Sequence, residues 1–162
     1  MCKRIFANQT NSERGVPFYK IGTIGKTADC YISFSLFEDY AKRYHYPTEG
    51  QILITCAGTI GRCLIFDGAP SYFQDSNIVW IDNNESVIIN LFLFHILNNT
   101  DWSKLNTSTI TRLYNDDLRS VSLAFPLLSE QKKIADFLSL IDERIQCLSE
   151  TIKERKEKRQ PY

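Results

Sequence analysis

The side chains able to do chemistry in this sequence are scattered, and no familiar catalytic arrangement gathers them. There is no glycine-rich cofactor loop, Walker loop, H-E-x-x-H zinc signature or Asn-Pro-Pro-aromatic methyltransferase motif. Three carboxylates, Asp75, Asp116 and Asp117, have the right type for a metal-dependent nuclease. Asn115-Asp116-Asp117-Leu118 reads more simply as a helix start, with Asn115 capping and acids in the first turn. The five cysteines form no C-x-x-C pair, and His45 and His95 stand at no ligand spacing. No metal and no cofactor is expected.

One small echo could matter for anions. Gly22-Thr23-Ile24-Gly25-Lys26 recurs as Gly58-Thr59-Ile60-Gly61-Arg62. Both could be tight connections in which glycine supplies positive φ. Both could instead bring backbone N–H groups and a cation near phosphate. Taken alone, the first reading is the simpler.

The elements that must position these groups follow from the apolar pattern. Ile134, Leu138, Ile141, Ile145, Leu148 and Ile152 are spaced 4, 3, 4, 3, 4. That is an a/d heptad seam, and it predicts a helix over 129–159, about 45 Å long at ~1.5 Å per residue. Pro126 precedes it, Ser129 is the expected N-cap, and Glu130 falls in the first turn. So narrow a seam needs a partner helix; the alternative is that it folds back on its own domain. Residues 1–128 read as one globular unit and 129–162 as the helix. Strands are expected over 52–56, 63–66, 77–81 and 121–125, and helices near 36–45 and 87–98. The fold class is α+β: a mostly β head followed by a long coiled-coil helix.

Composition bounds the class of protein. The 162 residues are 43% hydrophobic and 23% charged, ordinary for a globular domain. The longest apolar run, at 87–97, is interrupted and too short to span a bilayer, and the N-terminus lacks a signal-peptide core. A cytoplasmic location with reduced thiols is expected. Nineteen basic and nineteen acidic groups give zero net charge, which alone does not argue for nucleic acid.

Several motifs, in order, resemble the specificity subunits of type I restriction-modification systems. Gly15-Val16-Pro17-Phe18-Tyr19 is similar to the family's opening G-x-P-F-Y/W. Glu49-Gly50-Gln51-Ile52-Leu53-Ile54 through Gly58-Thr59-Ile60-Gly61-Arg62 resembles its G-D-I-L…G-T-I-G-R strand pair. Gln74-Asp75-Ser76-Asn77-Ile78 stands where the family has a polar segment, and 105–110 resembles its hydroxyl-rich turn. Pro126, Glu130-Gln131 and Ile134-Ala135 match its P…E-Q-x-x-I-A entry into a conserved helix, the most specific of these signals. Family members typically hold two recognition domains and two such helices; this chain has one of each.

The resemblance implies a non-catalytic reader of one half of a split double-stranded DNA target. Methyltransferase subunits, and in some assemblies a restriction subunit, would be supplied in trans. The helix would pair with a second copy or a second half through Ile134, Leu138, Ile141, Ile145, Leu148 and Ile152. Under that reading the DNA-contact candidates are Lys20, Lys26, Arg43, Arg62, Tyr72, Gln74, Asn77, Ser108, Thr109 and Arg112. Arg or Lys suits guanine and phosphate, and Gln or Asn suits adenine. The main alternative is a protein-interaction module that assembles through its coiled coil without touching DNA.

Overall fold

The computed structural model describes residues 1–105 and 112–158. The head is built on two small sheets. The first has the order β1 (Thr10–Asn11), β3 (Tyr31–Ile32), β2 (Val16–Tyr19), β6 (Tyr72–Phe73), with β2 and β6 parallel. The second is antiparallel, in the order β5 (Cys63–Ile65), β4 (Ile52–Thr55), β7 (Ile78–Ile81). The helices are α1 (Phe34–Arg43), α2 (Asn90–Asn98), α3 (Asn115–Ser120) and the 30-residue α4 (Leu128–Glu157). The expected α+β class, a β-rich head and a long C-terminal helix, is the observed one.

Strand β4 explains the apolar run at 52–55. It lies between two hydrophobic clusters, so both of its faces are buried. Leu53 faces an aromatic core with Phe18, Phe66, Tyr72 and Phe73. Ile52 and Ile54 face the second cluster, with Leu93 and Leu97 of α2, Trp102 and Leu113. A strand covered on both sides reads as a continuous apolar run rather than an alternation.

Helix α1 starts where Ser33 Oγ accepts from the Leu36 N–H at 3.2 Å, a serine N-cap. Leu36, Phe37 and Tyr40 then pack on the aromatic core.

Three expectations need correction. Residues 121–125 form no strand. Val121 and Leu123 pack against the second cluster with strand-like alternation, but no neighbouring strand pairs with them among the described residues. Helix α4 begins one residue earlier than expected. Its cap is Leu127, whose extended backbone (φ −61°, ψ 151°) donates its N–H to the Glu130 carboxylate at 3.2 Å. Ser129 lies inside the first turn. Helix α3 is shifted likewise: Asn115 is its first residue, and Asp117 accepts from the Tyr114 N–H at 2.7 Å.

Gln131 joins α4 to the head. Its side chain is fully buried. It donates to the carbonyls of Val87 (3.0 Å) and Pro126 (2.9 Å) and accepts from the Ile89 N–H (3.0 Å). Next along that face come Ala135, with no exposed surface, then Ser139 and Asp142, which lie 3.4 Å and 3.8 Å from His95 of α2. Gln131→Leu leaves two carbonyls and one N–H without partners, and unmet buried groups cost about 1–3 kcal/mol each before relaxation or water entry. A net loss of about 2 kcal/mol is expected, read as a lower thermal midpoint by circular dichroism. An unchanged midpoint would show that this joint is not stabilising.

The cysteines divide sharply. Cys2, Cys30, Cys56 and Cys63 are buried, and Cys147 is exposed on α4. Burial pushes the Cys2 and Cys56 thiols up to about 11 and that of Cys63 up to about 12. The thiolate is the reactive form. One thiol, Cys147, is therefore expected to react quickly with Ellman's reagent at neutral pH, and all five after unfolding. A second fast thiol in the native protein would mean that the head opens locally.

Candidate nucleic-acid interface

Strand directions bring three loops to one edge of the head. Parallel β2 and β6 end side by side at Tyr19 and Phe73, so the loops after them, 20–26 and 74–77, emerge together. Strand β7 pairs antiparallel with β4, placing Ile78 opposite Thr55. The loop that enters β7 therefore lies beside the loop that leaves β4, at 56–62. Arg112 joins the same edge through a bridge to Ala57.

The two Gly-Thr-Ile-Gly turns are neighbours in space and interlock. A Cβ on Gly25 would stand 3.3 Å from the Arg62 guanidinium, and one on Gly58 would stand 3.2 Å from Ile21. Both glycines have positive φ, +68° and +67°, where glycine alone escapes a Cβ penalty. Threonine hydroxyls organise both turns. Thr23 Oγ1 accepts from the Lys20 N–H at 3.0 Å, and Thr55 Oγ1 accepts from the Arg62 N–H at 3.0 Å. The N–H groups of Thr23, Ile24, Lys26 and Gly61 are spent on internal carbonyls. This favours the tight-turn reading of the echo, with the cations left to face an anion.

Behind this edge lies a cleft of about 330 Å³, lined in part by Arg4, Lys20, Gln74, Asp75 and Asn77. Its cations are tethered to carboxylates. Arg4 Nε meets Asp75 at 2.9 Å, and Lys20 Nζ meets Asp29 at 3.2 Å. The contact holds the Asp29 carboxyl below the usual range and lifts the Lys20 ammonium above it. Gln74 and Asn77 differ from these cations. Their backbones are anchored, Gln74 N–H to Tyr19 O at 2.9 Å and Cys56 N–H to Asn77 O at 2.7 Å. Their half-buried side-chain amides have no hydrogen-bond partner among the described residues.

Of the sequence-derived candidates, the fold brings Lys20, Lys26, Arg62, Gln74, Asn77 and Arg112 to this edge. Two candidates stand elsewhere. Tyr72 is buried in the aromatic core, stacked on Tyr46 with its hydroxyl donating to Lys3 O at 3.1 Å. It faces no solvent, so it cannot touch DNA without unfolding its surroundings. Arg43 ends α1 and does not line the cleft; it is paired with Asp39 at 3.1 Å and set over the Tyr44 ring. Ser108 and Thr109 lie outside the described residues. Sequence reading missed Arg4, whose partner is 71 residues away and which carries no local signal. It also missed the joint made by Gln131, although the Glu130-Gln131 pair was visible.

The carboxylates considered for a nuclease are separately engaged. Asp75 pairs with Arg4, Asp116 with Arg119, and Asp117 caps α3. Among the described residues no three His, Cys, Asp or Glu side chains are placed to hold a metal ion. None of the described helices is long and apolar enough to cross a membrane.

The described residues form a β-rich head with a polar loop edge, followed by a long helix with an apolar stripe. Residues 1–157 match the model of the type I restriction modification DNA specificity domain, and the chain belongs to that family. It is 48% identical over 165 residues to a Haemophilus influenzae protein named as a type I restriction enzyme specificity subunit, S.HindORF215P. That alignment covers all of this chain and 43% of the relative, so the chain spans less than half of the relative's length. The fold is similar to a chain in a structure of complex assembly and conformational transition of the type I R-M system. There the TM-score is 0.69 at 18% identity, over 98% of this chain and 39% of that one. It is also similar to the HsdS subunit of Thermoanaerobacter tengcongensis, with TM-score 0.63 at 18% identity, over 93% of this chain and 36% of that one.

Proposed function

We propose that the head, residues 1–128, reads one half of a split double-stranded DNA target, and that the helix, 129–162, sets its distance from a second reader. The observation that carries this reading is a pair of amides, Gln74 and Asn77, without hydrogen-bond partners among the described residues, in a cleft walled by Lys20 and Arg4. An unpaired amide offers a donor and an acceptor together, the pattern an adenine edge complements in the major groove. Under this reading the tethered cations Arg4 and Lys20 contact the flanking phosphates and fix register.

The chain itself performs no chemistry under this reading. Methyltransferase subunits carry out modification, and a restriction subunit joins for cleavage, all in the cytoplasm. A gel-shift with the cognate methyltransferase subunit present tests it. Sequence-specific retention is expected, together with no magnesium-dependent cleavage by this chain alone. Absence of specific retention at low salt would leave a protein-interaction module as the better account.

Binding by the isolated chain is expected to be weak and salt-sensitive, because its net charge is zero and phosphate contacts supply most of the affinity. Engagement of about three phosphates predicts a loss of roughly fortyfold between about 50 and 200 mM salt. A flat response in fluorescence anisotropy would remove the phosphate contacts from the scheme.

A further inference from the structure

We propose that Arg112 is a positioning residue: it holds the 74–77 loop in the shape that aims Gln74 and Asn77, and so governs base selectivity rather than phosphate affinity. The inference rests on the DNA reading above and assigns a different role to one of its cations.

The geometry of the loop is the reason. Ser76 has φ +54°, a left-handed conformation that a serine rarely adopts. Something must over-determine such a residue. The Arg112 Nη2 donates to the Ser76 carbonyl at 2.6 Å, a charge-assisted bond of the stronger kind. Arg112 is itself fixed. Its backbone bridges to Ala57, its guanidinium lies 5.9 Å from the Tyr114 ring centroid, and the following Leu113 N–H donates to Cys56 O at 2.8 Å. Cys56 in turn donates its N–H to Asn77 O. Residues 56, 77, 112 and 113 thus form one knot around the loop. Asn77 follows the strained residue and Gln74 stands two residues before it, so relaxation of Ser76 to negative φ would turn both amides away from their present directions.

A cation aimed at phosphate and a cation holding a loop differ in measurable ways. Removing a phosphate contact weakens binding evenly across sequences and reduces the salt slope by about one. Removing a loop support leaves the salt slope in place and blurs discrimination among bases. The experiment uses the full chain with the cognate methyltransferase subunit and a duplex pool randomised over the target length, selected at low salt, followed by anisotropy on the enriched duplex and its single-base variants. Three proteins are compared: the parent, Arg112→Ala, and Arg112→Ala with Ser76→Gly. Glycine accepts positive φ without a Cβ penalty, so it takes away the drive for the loop to relax.

The expected result is enrichment of one motif by the parent. Arg112→Ala loses discrimination by about tenfold at one or two adjacent positions with an unchanged salt slope, and the added Ser76→Gly restores part of it. Faster amide exchange at Cys56 and Ile78 in Arg112→Ala, measured without DNA, is expected alongside. Uniform loss of affinity with a shallower salt slope would overturn the proposal and leave the DNA reading standing. So would unchanged exchange at Cys56 and Ile78. Failure of the parent to enrich any motif would remove the DNA reading, and the proposal with it.

Discussion

Gly61→Ala is expected to lower the stability of the head by about 2–5 kcal/mol, as the sum of a left-handed backbone cost of about 1–2 and an overpacking cost of about 1–3. Gly61 has φ +77°, and a Cβ there would stand 2.0 Å from both Cδ1 and Nε1 of Trp102. The indole cannot easily move aside. It is buried in the second hydrophobic cluster, and its Nε1 donates to Leu97 O at 3.1 Å. A fall of roughly 4–20 °C in the thermal midpoint follows for a chain of this size. Gly22→Ala is the control. Gly22, the leading glycine of the other turn, has open space where a Cβ would go and no positive φ. A midpoint near that of the parent is expected for it. Equal behaviour of the two variants would refute the packing account of the second turn.

The second large effect concerns assembly. Ile141→Asp with Leu148→Asp is expected to convert a self-associated species into a monomer in light scattering, with helix content kept. Ile134, Ile141, Ile145, Leu148 and Ile152 are all exposed, between 40% and 57%, along α4. They do not turn toward the head, because Gln131, Ala135, Ser139 and Asp142 occupy that side. Leu138, half-buried, stands at the border of the two faces. A seam at the 3.5-residue spacing is what another helix fills. Two carboxylates per chain placed in such a seam cost upward of about 2 kcal/mol each. That weakens association by about a thousandfold or more. If the mass does not change, the stripe is not the interface.

Legibility in the sequence followed the range of the interactions. Helix α4 was readable because its heptad pattern is repeated and local. Strands β4, β5 and β7 were readable because burial on two faces, or on one, leaves short apolar runs bounded by turn residues. The short strands β1, β3 and β6 carry two residues each and depend on partners far along the chain, so no local pattern announces them. Residues 121–125 show the converse. They have the alternation of a strand and the half-burial that goes with it, but pairing is a property of the neighbour, which the segment does not encode.

The candidate site divides in the same way. Residue type selected Lys20, Gln74 and Asn77 from their loops, and topology brought them to one edge. Residue type also selected Tyr72, because a tyrosine between turn signals looks exposed. Its ring in fact closes an aromatic group with Phe18 of β2, Tyr40 of α1 and Tyr46 of the loop after α1. The Arg4 to Asp75 and Arg112 to Ser76 contacts span 71 and 36 residues. Nothing near either residue in the chain indicates them.

The interlocked turns bear on any attempt to rewrite what this head recognises. Arg62 lies against Gly25, and Gly58 against Ile21, so neither loop has a shape independent of the other. Grafting residues 57–62 from another member of the family, without its own counterpart of 20–26, would set foreign side chains against an unmatched neighbour. The natural unit of exchange is the pair of loops, and substitutions accumulating in one should be accompanied by compensating changes in the other.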